Sequence, residues 1–238
     1  MVRAEQAVIL CGGLGSRLGA LTTHMPKPLL PVDGRPFLSI LIEEIARQGI
    51  DRFLLLAAFE SEQIRQFAAA LPGQLDRDIR VDVSIEPDRA GTGGALRHAL
   101  PLLETCFYMF NGDSWFDIPL VRLRRALTHQ PQRQGIIALR QLPDVGRFGS
   151  VELTGDTVTA FRACGTAGTG PALVNAGVYL FRRDFVANVS HELRTPITVV
   201  AGFLENLADS PQAAPEFFER SIHLMRDQTL RMQRLVED

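Results

Sequence analysis

Apolar and polar positions alternate along this chain in blocks whose period switches between strand and helix. Ala7 to Leu10 is a short apolar run that reads as a buried strand. Residues 37–48, FLSILIEEIARQ, place Leu38, Leu41, Ile42 and Ile45 on one helical face. Arg52 to Ala57 reads as the next strand, and Ser61 to Leu71 as a helix with Ser61 at its cap. Ile79 to Ile85 alternates and predicts a third strand. Gly91 to Leu103 opens on glycines and continues as a helix. Phe107 to Phe110 is a fourth strand, ending at Asn111-Gly112-Asp113. Pro119 to Thr128 is helical, and Gly135 to Leu139 is a fifth strand. Strands alternating with helices predict an α/β fold with a mostly parallel, Rossmann-like sheet covered on both faces. The pattern then becomes strand-rich, over Ser150–Leu153, Thr157–Phe161 and Leu173–Phe181.

After Phe181 the period changes again. Phe185, Val189, Leu193, Pro196, Val200, Phe203 and Leu207 recur at steps of four and three, a coiled-coil-like stripe. The turn-rich stretch Asp209 to Pro215 follows. A second helix then carries Phe218, Ile222, Met225, Met232 and Val236 on one face. The expected organisation is therefore an α/β domain over 1–183 and an α-helical hairpin over 184–238. An apolar seam of this kind favours a homodimeric four-helix bundle.

Composition narrows the function classes. The net charge of −2 offers no basic field for nucleic acid. Cys11, Cys106 and Cys164 are far apart, with no CxxC or histidine spacing, so they read as reduced and structural. No apolar run reaches membrane-spanning length and no signal-peptide core opens the chain, so a cytoplasmic setting is expected.

The candidate chemistry starts where the first strand ends. Beyond Leu10 come Gly12, Gly13 and Gly15, then Ser16 and Arg17. Glycines after a strand let the backbone turn sharply and bring N–H groups close to an anion. Ser16 and Arg17 add a hydroxyl and a planar cationic fork suited to phosphate oxygens. Lys27 follows between Pro26 and Pro28, and it is the only lysine among 25 basic residues. A compact ammonium on a stiff segment is thus kept in a chain that otherwise uses arginine. A plain glycine-rich βα turn would also account for Gly13-Leu14-Gly15. A Walker loop is excluded because no Gly-Lys-Ser/Thr closes the run, and Leu18 stands where a dinucleotide fingerprint needs its third glycine.

The whole segment from Gly12 to Val32 resembles the signature of sugar-1-phosphate nucleotidyltransferases, GGxGxRL followed by PKPLxPV. The resemblance implies transfer of a nucleoside monophosphate to a sugar 1-phosphate, giving an NDP-sugar and pyrophosphate with Mg²⁺. In that family Leu10, Gly12, Gly13, Gly15 and Ser16 would cradle the triphosphate. Arg17 would neutralise the departing pyrophosphate, and Lys27 would bridge the α-phosphate and the sugar phosphate. Asp113 would hold the metal, since magnesium takes one or two carboxylates plus substrate oxygens. A turn-forming Asn-Gly-Asp is the plainer reading of the same residues. Glu86 with Gly91-Thr92-Gly93-Gly94 resembles a base-reading segment. A carboxylate can accept together from guanine N1–H and N2–H₂, so GTP is favoured, and the GTGGAL form looks most like heptose- and mannose-1-phosphate guanylyltransferases. Asn111, Gly112 and Asn175, the last in a Val-Asn-Ala-Gly string, would bind the sugar.

Two departures stand out. The family's Glu-Lys pair after the strand ending at Phe161 is replaced by Ala163 and Cys164, leaving Arg162 as the nearby cation. Past Phe185 the sequence leaves the family pattern, which would continue to another aspartate and closing helices, so the sheet is expected to be incomplete at its C-terminal end. Instead FVANVSHELRTPI resembles the dimerisation hairpin of sensor histidine kinases, with His191 as phosphoacceptor. That likeness implies a kinase ATP-binding domain in trans and a response regulator as partners. It also supports a second function: a phosphotransfer and dimerisation module carrying a catalytically inactive nucleotide binder.

Overall fold

The computed structural model describes residues 4–13, 16–75, 77–87, 91–144, 149–163 and 170–189. They divide into two compact units, Met1–Arg140 with Asn175–Val186, and Gln141–Val174 with Ala187–Asp238.

In the first unit β1 (Gln6–Leu10) is flanked by parallel neighbours β2 (Arg52–Ala57) and β4 (Cys106–Asn111), with β3 (Arg80–Ile85) parallel to β2 at the edge. β8 (Ala172–Arg182) runs antiparallel beside β4, and β5 (Gly135–Leu142) pairs with β8. The sheet is therefore mixed, where the sequence pattern predicts a mostly parallel one. The order β3-β2-β1-β4 is Rossmann-like, and it comes from helical crossovers: α1 (Phe37–Arg47) after β1, α2 (Ser61–Ala70) after β2 and α3 (Gly91–His98) after β3. α4 (Leu120–His129) follows β4.

Alternate residues of β1 enter different cores. Ala7 and Ile9 pack with Leu38, Ile42, Ile64 and Leu127 from α1, α2 and α4. Val8 faces the opposite layer with Leu54, Leu56, Ala95, Phe107 and Val186. Near-continuous apolar runs are what a strand buried on both faces requires. Register sets Leu10 level with Leu56 and Asn111. The chain after β1 and the chain after β4 therefore leave the sheet side by side at its carboxyl edge, where open α/β sheets bind ligands.

In the second unit β6 (Ser150–Thr154) and β7 (Thr157–Arg162) form an antiparallel hairpin, with a register shift between Glu152 and Leu153. Leu173, near the start of β8, pairs with Val151.

Three local expectations need correcting. Glu60, not Ser61, precedes α2 as its cap, in a left-handed conformation with φ 49° and no side-chain cap bond; Ser61 is the first helical residue. α3 stops at His98 rather than Leu103, and Leu100–Leu102 forms a separate 3₁₀ turn. Pro101 lacks the N–H that a continued helix would need and crowds the carbonyl four residues back. Residues 16–22 form a 3₁₀ stretch interrupted at Gly19 (φ 56°), where the sequence offered no element.

Beyond β8, residues 183–189 are helical. Val186 is buried and Phe185 stacks on Phe181, so this helix begins on the core of the first unit. The rest of the expected hairpin lies outside the described residues. Among the described residues no helix is long and apolar enough to cross a membrane.

Candidate active site

Lys27 and Asp113 are 86 positions apart, yet Lys27 Nζ donates to Asp113 Oδ2 at 2.7 Å. Each partner is supported by its own local geometry. Lys27 opens a 3₁₀ turn, Lys27–Leu29, between two buried prolines, Pro26 and Pro28. The Leu29 N–H donates to Pro26 O and the Leu30 N–H to Lys27 O, so the prolines cost this turn none of its hydrogen bonds. Asp113 leaves β4 through Gly112, whose N–H donates to Leu10 O at 3.0 Å. A Cβ on Gly112 would sit 2.4 Å from Leu10 O and 3.2 Å from Pro28 Cγ. Only a residue without a side chain lets the β4 exit close against both the end of β1 and the Lys27 segment. Gly112 thus has a packing role that brings the ammonium and the carboxylate together.

Burial pushes the Asp113 carboxyl up. The Lys27 hydrogen bond and charge, the Ser114 hydroxyl and a backbone bond outweigh that and hold it below the ordinary aspartate range. Ser114 Oγ donates to Asp113 Oδ1 at 3.0 Å, so each carboxylate oxygen has a partner. Cys11, at the end of β1, is fully buried, and its thiol is pushed far up, first by burial and then by the Asp113 charge. It and Cys106 are free, buried thiols.

Gly12 and Gly13 follow β1, whose hydrogen bonding continues one step to Cys11 N–H and Leu56 O. A Cβ on Gly12 would lie 3.1 Å from Ala58 Cβ and 3.4 Å from Glu86 Oε1. The Glu86 carboxylate therefore rests against the first glycine of the turn, and its own N–H is fixed to Ala57 O at 3.1 Å. Gly91 and Thr92 open α3 in exposed positions, and Gly91 takes φ 71°, a conformation that favours glycine. Gly15 lies outside the described residues, as do the side chains of Ser16 and Arg17, whose backbone belongs to the 3₁₀ stretch.

On the other side of Asp113, Asn111 ends β4 and Asn175 lies in β8. Asn175 Nδ2 donates to the Tyr179 hydroxyl at 2.6 Å, and Asn175 Oδ1 accepts from the Gly177 N–H at 2.9 Å. The Asn111 side chain packs against Gly177, where a Cβ would stand 2.9 Å from Asn111 Nδ2. In the second unit Arg162 is forked onto Glu152 at 2.8 and 3.2 Å. Of the two replaced family positions, Ala163 is described and Cys164 is not. His191 also lies outside the described residues.

The structure thus brings Lys27 to Asp113, Glu86 to Gly12, and both Asn111 and Asn175 to Gly177. Two further residues were not foreseen, Ser114 and Tyr179. Ser114 gave no signal beyond its place after Asp113. Tyr179 could have been found, since residues four apart on a strand share a face with the one between them.

The chain matches the nucleotidyl transferase family model over residues 6–220. The chain belongs to the nucleotidyl transferase family. The match runs through the boundary at 183/184 that the change of period suggests. This nucleotidyl transferase is 35% identical, over 181 residues, to D-glycero-alpha-D-manno-heptose 1-phosphate guanylyltransferase of Campylobacter jejuni, covering 75% of this chain and 76% of the relative. Its identity to the protein of the same name from Aneurinibacillus thermoaerophilus is 33%, covering 74% of each. Among solved structures it is similar to HddC from Yersinia pseudotuberculosis complexed with GMP-PN, with TM-score 0.66 and 27% identity over 76% of this chain and 78% of that one.

Proposed function

We propose that this nucleotidyl transferase moves GMP from GTP to a heptose or mannose 1-phosphate in the cytoplasm. The observation that carries the reading is the Lys27–Asp113 contact beside the glycine turn at the carboxyl edge of β1 and β4. The guanylyltransferase relatives support it, and so does the carboxylate of Glu86 against Gly12.

A phosphate oxygen of the sugar 1-phosphate attacks the α-phosphorus of GTP. The bond from that phosphorus to the β-bridging oxygen breaks, and pyrophosphate leaves with the electron pair. Such a reaction needs two anions brought together and their charge neutralised, with little covalent help. Gly12, Gly13 and Gly15 give backbone N–H groups to the phosphates, Leu10 ends the strand that aims them, and Ser16 and Arg17 serve the departing pyrophosphate. Lys27 has three donors, so it can keep Asp113 and still reach phosphate oxygens of both substrates. Glu86 accepts from the guanine edge, with Gly91 and Thr92 beside the base. Asn111 and Asn175 face the sugar.

Asp113 suits Mg²⁺ as a single carboxylate. Among the described residues no group of three or more metal-binding side chains occurs, and magnesium completes its octahedron with substrate oxygens rather than an all-protein cage. When bound, Mg²⁺ would be held by Asp113 and would help neutralise phosphate charge.

The test is pyrophosphate release across ATP, CTP, GTP, UTP and dTTP with mannose and heptose 1-phosphates. GTP should support turnover well above UTP and dTTP, which offer one donor where guanine offers two. Release with every NTP alike would remove Glu86 from base reading, and release with none would overturn the assignment.

For residues 184–238 the string around His191 supports a separate reading, a dimerising hairpin that takes a phosphoryl group from a kinase domain in trans and passes it to a response regulator. Labelling by an intact kinase and ATP should give acid-labile phosphate that His191→Ala removes; no label would reduce the segment to scaffold.

A further inference from the structure

We propose that Tyr179 is the positioning residue for the sugar half of the cleft, its phenol oxygen setting the Asn175 carboxamide in the orientation that meets the sugar. The inference rests on the transfer reaction proposed above, and Tyr179 itself is not assigned to substrate contact.

Three observations converge on it. First, the Asn175 carboxamide is oriented from both ends. Its oxygen accepts the Gly177 N–H and its nitrogen donates to Tyr179 at 2.6 Å. A flipped amide would face a donor with a donor, so only one orientation satisfies both partners. Asn175 is exposed, so one N–H and one lone pair remain to meet a ligand. Second, Asn111 of the neighbouring strand packs against Gly177, the residue whose N–H holds the Asn175 oxygen. Gly177 makes room for this. It takes φ 76°, and a Cβ there would stand 2.9 Å from Asn111 Nδ2. Asn111 and the held Asn175 thus meet the same glycine across β4 and β8.

Third, the tyrosine ring is itself anchored. It stacks on Phe181 at 5.5 Å, and Phe181 stacks on Phe185 at 5.2 Å and tilts against buried Phe107 at 6.3 Å. Such offset aromatic contacts fix ring position. Burial raises the phenol above its ordinary range, with the two asparagines pulling it part of the way back, so it is a neutral hydroxyl around neutral pH. An exposed asparagine on a strand would sample several rotamers. This one is held, and holding polar groups in place ahead of binding lowers the cost of engaging a ligand.

Tyr179→Phe removes the oxygen and keeps the ring stack, so the melting temperature should hold. Two ligands then isolate the sugar. GDP-mannose should bind the variant about fivefold more weakly, the worth of one neutral hydrogen bond, while GDP should bind unchanged. Asn175→Ala should give a similar loss, and the double variant little more than either single one. Side-chain amide NMR on ¹⁵N-asparagine protein supplies a readout of position: the Asn175 NH₂ pair should shift and exchange faster in Tyr179→Phe. Equal weakening of GDP and GDP-mannose, unchanged GDP-mannose affinity, or an unmoved Asn175 resonance would each overturn the proposal. The underlying reaction fails on a different result, absence of pyrophosphate release from the unaltered chain.

Discussion

Two ion pairs of nearly equal length set the candidate site apart from ordinary surface. Lys27–Asp113 spans 2.7 Å, and Arg162–Glu152 spans 2.8 Å. The second pair joins adjacent strands of one hairpin, with side chains about half exposed, 55% and 49%. The first joins segments 86 positions apart, at 34% and 39% exposure, and is held by buried prolines, a glycine with no room for a methyl group, and a serine on the second carboxylate oxygen. The pair alone therefore does not mark a site. What marks it is the amount of scaffold arranged to hold a cation and an anion at the exit of two strands.

The largest expected effect comes from removing the ammonium. Lys27→Ala should lower kcat for pyrophosphate release by about a hundredfold or more, as expected for a charge aimed at the reacting phosphates. A loss below tenfold would leave Lys27 as a structural partner of Asp113. Gly112→Ala comes next. Its Cβ would meet backbone at 2.4 Å, so the β4 exit must shift, and about 1–3 kcal/mol of stability should be lost together with activity. Chemical denaturation measures the first and pyrophosphate release the second; an undisturbed variant would deny the close approach.

A smaller effect concerns pH. Asp113 titrates below its ordinary value in the folded chain, so its pairing contributes stability that is present above the unfolded pKa and lost only as pH falls through the folded one. Carboxyl NMR should find Asp113 ionised through the usual aspartate range, and Lys27→Ala should move its titration upward. A midpoint indifferent to Lys27 would contradict the pair. The smallest effect belongs to the hairpin: Arg162→Ala should leave the melting temperature unchanged, because exposed pairs are screened and lose side-chain entropy. A clear drop would erase the contrast between the two pairs.

Much of the glycine turn and its surroundings was legible from the chain. The glycines, Lys27 between its prolines, and Asp113 carry residue types that announce turn, rigidity and charge, and βα alternation announces parallel strands; the strand order and the antiparallel β8 depend on long-range pairing that no local pattern carries. The 2.7 Å contact itself could not be read, because it depends on register between β1 and β4 and on Gly112 fitting under Leu10. The cluster around Asn175 was half legible. Asn175 stood out through its short string, whereas Tyr179 was absorbed into an apolar strand pattern as one more aromatic. The end of α3 was misread because the glycine-led helical pattern hid the break at Pro101.

The central claim is that Lys27 and Asp113 form one cleft that takes the triphosphate beside a divalent ion. Calorimetric binding of GTP with and without Mg²⁺, for the unaltered chain and for Asp113→Asn, tests it most directly. Mg²⁺ should tighten GTP binding in the unaltered chain, and that gain should vanish in Asp113→Asn. An equal Mg²⁺ gain in both proteins would contradict the claim.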